Sequence, residues 1–205
     1  MTEKGVTIRV IKTENLIQFA CPKCKQDVQL ADTKYFCNDC KRSYPIIKNI
    51  PDFISLDPDE KRTNITRIAK AMDSIAPIYE SKIWYQFLLN LSGTRNTSLN
   101  SIANFYSETF KNTNGYILDV ACGPATFGRR IASSNKIVCG IDISIGALQR
   151  GKKNIVKDGV SNVYLARSRV EELPFEDKVF DGVICNGSLH LFPNTLHALQ
   201  EISRQ

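Results

Sequence analysis

At 205 residues, 42% hydrophobic and 23% charged, the chain has the make-up of a globular protein, which excludes wholesale disorder. Its length fits a small module plus one larger domain. No apolar run approaches the roughly 20 residues of a membrane helix. The polar start Met1-Thr2-Glu3-Lys4 lacks the apolar stretch of a secretory signal, so a cytoplasmic protein is expected. The formal charge of +6 is unevenly spread: residues 1–60 carry nine basic and nine acidic groups, residues 61–115 seven and three, and the remainder eleven and nine. A mild excess over the middle can steer anionic partners, but it falls short of the basic stripe that marks a nucleic-acid surface.

Seven cysteines, an odd number, argue against a full disulfide framework. Four of them form Cys21-Pro22-Lys23-Cys24 and Cys37-Asn38-Asp39-Cys40, two C-x-x-C pairs separated by twelve residues. Each pair can close a knuckle that turns both sulfurs to one side, and two knuckles supply the tetrahedron of thiolates that Zn²⁺ prefers. The spacer suits a hairpin, Val28-Gln29-Leu30 out and Tyr35-Phe36 back, with Ala31 to Lys34 as the turn. A closed four-cysteine site leaves no position for water, so the metal is expected to fold the module and not to catalyse. The rival reading, a redox pair, calls for a single C-x-x-C beside a βαβ pattern, and none surrounds these. Cys122, Cys139 and Cys185 sit among apolar residues and read as small buried hydrophobes. Ser43 to Phe53 reads as an extended segment and turn. With it, about 35 residues of this first module, residues 1–56, resemble the small zinc-ribbon activator that partners tRNA and rRNA methyltransferases. They also resemble the ribbon fused to the N-terminus of some methyltransferases, including the rRNA guanine enzymes. In the latter a histidine is expected among the later ligands, where this chain has Cys37 and Cys40.

Residues 57–97 read as a linker and covering helices. Asp57-Pro58-Asp59-Glu60-Lys61 turns into a helix, in which Ile65, Ile68, Ala69, Met72 and Ile75 recur at helical spacing. Pro77 is expected to start a second helix, with Ile78, Tyr79, Ile83, Trp84, Phe87 and Leu88 on it. Residues 92–96 are a loop. A third helix over Leu99 to Phe110 presents Ile102, Phe105, Tyr106 and Phe110 on one side. The aromatic stripe Tyr79, Trp84, Tyr85 and Phe87 is read as packing, with the lining of a substrate pocket as the alternative.

From residue 98 on the pattern becomes β-loop-α. Tyr116 to Val120 suits a strand buried on both faces, followed by the small-residue loop Ala121-Cys122-Gly123-Pro124-Ala125-Thr126-Phe127-Gly128 and a helix from Arg129. Such a strand, tight loop and helix bring backbone N–H groups close to a ligand. Lys136 to Asp142 is a second strand that ends in a carboxylate about 20 residues downstream, placed to accept both hydroxyls of a ribose. A helix with Ile145, Ala147 and Leu148 follows, then a strand over Val163 to Ala166, a strand over Phe180 to Asn186, and a helix over Leu196 to Ile202.

The order ILDVACGPATFG, GIDIS, EELPFEDKVFDGVICNGSLH resembles class I S-adenosylmethionine-dependent methyltransferases, most closely the type 11 group of small-molecule and quinone-like enzymes. The resemblance implies an α/β, Rossmann-like sheet preceded by helices and a zinc ribbon. It implies that Asp119, Ala121, Cys122, Gly123 and Ala125 line the methionine and ribose portion, and that Asp142 holds the ribose. Ile143 would pack on the adenine, Val170 and Glu171 would flank its edge, and Asn186 would close the pocket. Three positions depart from the family. Ala121 and Ala125 replace loop glycines, the first tolerable if its φ stays negative, the second placing a Cβ where the ligand approaches. Arg169 stands where an adenine-reading aspartate is common, and arginine cannot accept a hydrogen bond. A dehydrogenase is the rival for any such loop, and the Glu-Glu-Leu-Pro-Phe segment fits it less well.

The family sheet has seven strands ordered 3-2-1-4-5-7-6, and only four are found before Gln205. A fragment of a longer protein is therefore expected, with the fourth strand an unpaired edge open to another chain. The nucleoside pocket should be present and the acceptor pocket incomplete. His190 is read as structural and His197 as exposed; no catalytic base is assigned. The expected function is methyl transfer to a small molecule or an RNA base. The alternative is a non-catalytic ribbon module that contacts RNA or a protein.

Overall fold

The computed structural model describes residues 17–54, 64–75, 78, 81–91, 97–132 and 136–205. The polar N-terminus, the linker 57–61, Pro77, Tyr79 and the loop 92–96 lie outside them, as do the side chains of Ile65, Ile68, Ile75, Trp84 and Leu88.

The N-terminal ribbon is an antiparallel meander of β1 (Val28–Ala31), β2 (Lys34–Cys37), β3 (Ser43–Ile47) and β4 (Ile50–Pro51). The β1–β2 turn is tighter than the spacing implied: Ala31 pairs with Lys34, leaving Asp32 and Thr33 as the loop. The β3–β4 turn uses Lys48 and Asn49, both with positive φ (51° and 60°), the combination that follows the twist of a hairpin. Each C-x-x-C knuckle is closed by a left-handed lysine directly after its second cysteine, Lys25 at φ 59° and Lys41 at φ 58°.

Three helices follow: α1 (Asn64–Ile75), α2 (Lys82–Leu91) and α3 (Leu99–Thr109). The described part of α2 begins at Lys82 and not near Pro77, because Ile78 sits in a turn closed by the Ser81 amide donating to its carbonyl at 2.8 Å. Ser98 caps α3 by accepting from the Ser101 amide at 3.1 Å.

The second sheet contains β5 (Gly115–Val120), β6 (Lys136–Asp142), β7 (Val163–Arg167) and β8 (Gly182–Cys185), all parallel in the order β7-β6-β5-β8. The connections carry α4 (Gly128–Ile131) and α5 (Ile145–Lys157), and α6 (Thr195–Ser203) follows β8. The continuous apolar runs of β5 and β6 are what a strand covered on both faces requires. Numbered from β5, the order is 3-2-1-4, which makes this a Rossmann-like α/β fold. Among the described residues β8 pairs with β5 alone.

The ribbon is not a separate lobe. One buried cluster joins Cys21, Tyr44 and Phe53 of the ribbon to Phe175, Leu118, Val120 and Ile141 of the sheet. The Phe19 ring lies 4.9 Å from Phe53 and 5.7 Å from Phe175, bridging the two. Polar contacts close the seam: Lys25 pairs with Glu201 at 2.8 Å, Glu201 pairs with Arg204 at 2.8 Å, and Lys23 reaches Glu172 at 2.6 Å. The ribbon thus obtains from the sheet the core that a small module cannot build alone.

Candidate functional site

The loop after β5 turns through three alternating left-handed residues, Ala121 (φ 54°), Gly123 (φ 54°) and Ala125 (φ 57°). The condition set for Ala121, a negative φ, is not met. Two L-residues accept the roughly 1–2 kcal/mol cost of that conformation in a loop three of whose amides are hydrogen-bonded. Cys122 donates to the Ile141 carbonyl at 3.0 Å, Gly123 to Asp142 Oδ2 at 2.8 Å, and Ala125 to the Cys122 carbonyl at 3.0 Å. Ala125 is also corrected: it is 1% exposed and packs with Ile117, Ile131 and Val138, so its methyl enters the core and leaves the crevice clear. On the far side α5 approaches so closely that a Cβ on Gly151 would lie 2.9 Å from the Pro124 carbonyl carbon.

Two carboxylates lie beside this loop toward the carboxyl ends of neighbouring strands. Asp119 is 2% exposed and accepts from the Gly128 amide at 3.1 Å. Burial pushes its pKa up to about 7, against the pull of the Gly128 amide and with the help of the nearby Asp142 charge. Asp142 accepts from the Gly123 amide at 2.8 Å and the Ser144 amide at 2.7 Å, and burial raises its pKa as well. Buried carboxylates beside such a loop suit a ligand that brings hydroxyl donors and positive charge.

The wall beyond β6 and β7 holds the other expected residues. Ile143 is half-buried, and its carbonyl accepts from Arg167 Nε at 2.8 Å. Val170 and Glu171 are buried on a single helical turn, Val170–Glu172. Arg169 lies 3.8 Å from Glu171 Oε2. Glu171 Oε1 is buried with no hydrogen-bond partner among the described residues, an acceptor that an amino donor would satisfy.

The opposite wall was less legible. Asn186, just past β8, accepts from the Tyr106 hydroxyl at 3.1 Å, and the Tyr85 side chain bonds to it too. Helices α2 and α3 thereby meet the end of the sheet. Tyr85 therefore does more than pack, and Phe87, expected in a packed stripe, is 51% exposed. Cys122 and Cys139 are buried as expected, whereas Cys185 is only partly so. His190 is exposed on the turn Leu189–Leu191, not structural, and His197 is exposed on α6. Sequence patterns missed Asp73 and Arg167, since neither lies in a motif and each acts on a residue far along the chain.

Cys21, Cys24, Cys37 and Cys40 have their sulfurs within 4.8 Å of one another, with Cys21–Cys40 at 3.4 Å and Cys24–Cys37 at 3.5 Å. A tetrahedron with Zn–S bonds of about 2.3 Å has edges of about 3.8 Å, so the cluster fits such an ion. Burial pushes the Cys40 thiol up to about 12, with its neighbouring sulfurs adding to the shift. Burial works the same way on Cys21, but the Tyr44 hydroxyl and backbone amides outweigh it and bring that thiol to about 7. A cation among the four sulfurs would favour the thiolate form that binds it.

Residues 111–205 match the family model of a methyltransferase domain. This part of the chain is similar to a class I, S-adenosylmethionine-dependent methyltransferase domain. It is similar to a demethylmenaquinone methyltransferase of Bacillus cytotoxicus, 37% identical over 90 residues, covering 42% of this chain and 38% of the relative. It is also similar to an uncharacterised chloroplastic methyltransferase of Arabidopsis thaliana, 35% identical over 104 residues, covering 47% of this chain and 30% of the relative. The chain thus spans only 30% to 38% of the length of these relatives. A Methanococcus maripaludis structure, assigned as an S-adenosyl-L-methionine-dependent methyltransferase, superimposes with a TM-score of 0.52 at 20% identity, covering 66% of this chain and 57% of that one. The [4+2]-cyclase SpnF does so at 0.54 and 19%, covering 69% and 56%. These two share the fold, and a fold alone does not fix a reaction. No described helix is long and apolar enough to cross a membrane.

Proposed function

We propose that this chain binds S-adenosylmethionine in the crevice between the Ala121–Phe127 loop and the Asp142–Ser144 turn, as part of an enzyme that transfers its methyl group. The observation that carries this reading is the buried Asp142 carboxylate at the end of β6, facing the loop and tied to the Gly123 amide. In this reading residues 98–205 form the cofactor domain, residues 57–97 its covering helices and residues 1–56 the ribbon.

Asp142 receives the ribose hydroxyls in a bidentate arrangement, and Asp119, Ala121, Cys122 and Gly123 frame the methionine portion. Ala125 supports the loop from the core side. Ile143 packs on the adenine, while Val170 and the orphaned Oε1 of Glu171 meet its edge and amino group. When bound, the sulfonium supplies an activated methyl group for in-line displacement. The chain's own contribution is alignment, which in such a reaction supplies much of the acceleration. The acceptor enters beside Asn186, under Tyr85 and Tyr106. This aromatic surroundings, and the quinone-type substrate in a relative's name, favour a small aromatic acceptor over an RNA base. The ribbon-module alternative gains nothing from the knuckles, because Lys23 and Lys25 already pair with Glu172 and Glu201.

Zn²⁺ in the four-cysteine site is structural in this account, holding the two knuckles and exposing no coordination position. Thiols kept free for a metal fit a reducing, cytoplasmic setting. Equilibrium dialysis with S-adenosylhomocysteine tests the reading: the wild-type chain is expected to bind, and Asp142→Ala to bind at least about tenfold more weakly, as loss of a charged hydrogen-bond acceptor implies. Equal affinity in the two proteins would refute the placement.

A further inference from the structure

Arg167 links the ribbon to the turn after Asp142. The last ribbon residues run beside the end of β7, where Asp52 bridges Arg167 in parallel and the Phe53 amide donates to the Arg167 carbonyl at 2.7 Å. Arg167 then spreads its guanidinium between the two parts of the molecule. One nitrogen donates to Asp52 Oδ2 at 2.9 Å, and Nε donates to the Ile143 carbonyl at 2.8 Å. Asp52 is 1% exposed, and its second oxygen accepts from the Ile54 amide at 3.1 Å, so the carboxylate is held on both sides. Ile143 and Ser144 form the turn directly after Asp142, and the Ser144 amide donates to that carboxylate at 2.7 Å.

We infer that Arg167, anchored by Asp52 of the ribbon, is a positioning residue for the nucleoside pocket. It fixes the Ile143 carbonyl, and through it the turn that orients Asp142. Cofactor affinity then depends on an intact, metal-loaded ribbon, although the metal site takes no part in the chemistry. This inference rests on the cofactor reading given above. Arginine is suited to the task because its planar fork makes two directed hydrogen bonds at once. Lysine keeps the charge but loses the fork. The turn is held from its other side by Asp73 of α1, which accepts from the Ser144 hydroxyl and from the Gly146 amide at 2.8 Å. Removing one clamp therefore loosens the turn without unfolding it.

The test uses the full chain loaded with Zn²⁺ and compares wild type with Arg167→Lys, Asp52→Asn and Lys23→Ala. The last variant breaks a ribbon–domain ion pair that does not touch Ile143. Calorimetric titration with S-adenosylhomocysteine is read alongside amide hydrogen exchange over residues 142–146 and the melting temperature. Arg167→Lys and Asp52→Asn are expected to weaken binding about tenfold. They should speed exchange in that turn while melting close to wild type, whereas Lys23→Ala leaves affinity and exchange unchanged. Stripping the metal from wild type with a chelator should weaken binding at least as much. Wild-type affinity and exchange in both Arg167→Lys and Asp52→Asn would overturn the inference and leave the cofactor reading standing. A metal-loaded wild type that binds no S-adenosylhomocysteine would overturn both.

Discussion

The ribbon and the parallel sheet reach order by opposite routes. The sheet buries whole strands, so that Ile117, Leu118, Val138 and Cys139 are fully enclosed by its own helices and neighbours. The ribbon has strands of five residues or fewer with one face open: Leu30 is 60% exposed, and its tight turns rest on left-handed lysine, asparagine and aspartate. Two external supports compensate, the four-cysteine cluster on one side and the aromatic seam to Phe175 on the other. A weak module that leans on a strong one cannot be removed without consequence for both.

The largest expected effect breaks that dependence at the metal. Structural zinc contributes on the order of 10 kcal/mol or more in small modules, so chelation should abolish ribbon order. Because the core is shared, the loss should appear as one lowered calorimetric transition; two independent transitions would show that the halves fold separately. Next in size is the seam itself. Phe53→Ala empties a fully buried site between the halves and should cost about 3–5 kcal/mol by denaturant titration. An effect below about 1 kcal/mol would mean that the seam is not a packed core.

The interior of the sheet and its seam with the ribbon should also respond to pH with opposite sign. Asp119 is held at about 7 against an ordinary 3.8, so between those values the native state binds a proton that the unfolded chain has lost. Its contribution to stability therefore falls as pH rises from about 4 to about 7, and Asp119→Asn should flatten that slope. Glu201 is lowered to about 2 from 4.5: burial opposes the shift, but Arg204 and Lys25 outweigh it. Its stabilisation is complete above about 4.5 and is lost as pH falls toward 2, and Glu201→Gln should remove the difference. Thermal melts of the two variants across pH 2 to 8 (roughly) would reveal both slopes. The smallest expected effect is at Ala121. Glycine there relieves the left-handed strain, and Ala121→Gly should stabilise the chain by up to about 1 kcal/mol in denaturant melts, net of the entropy that glycine adds to the unfolded state.

What the sequence disclosed, and what it withheld, divides along the range of the interactions. The four cysteines and the β5-loop-α4 unit announce themselves because local spacing dictates their geometry. The β6 bounds were read to the residue, since Lys136 to Asp142 is an apolar run ending in a carboxylate. The sign of φ at Ala121 was left open because the loop's course is set by hydrogen bonds to Ile141 and Asp142, one strand away. The Ala125 methyl was misplaced for the same reason: only the packing of α4 and β6 decides which way it points. Asp52 and Arg167 lie 115 positions apart, and no periodicity links them. The exposed Phe87 and the role of Tyr85 were equally out of reach, because an aromatic stripe looks the same whether it packs or faces a pocket.

A crystal of the zinc-loaded chain grown with S-adenosylhomocysteine tests the central claim most directly. The account predicts ligand density in the crevice between the Ala121–Phe127 loop and the Asp142–Ser144 turn, with the ribose hydroxyls on Asp142 and the adenine amino group toward Glu171. Density at another surface, or an empty crevice at saturating ligand, would contradict it.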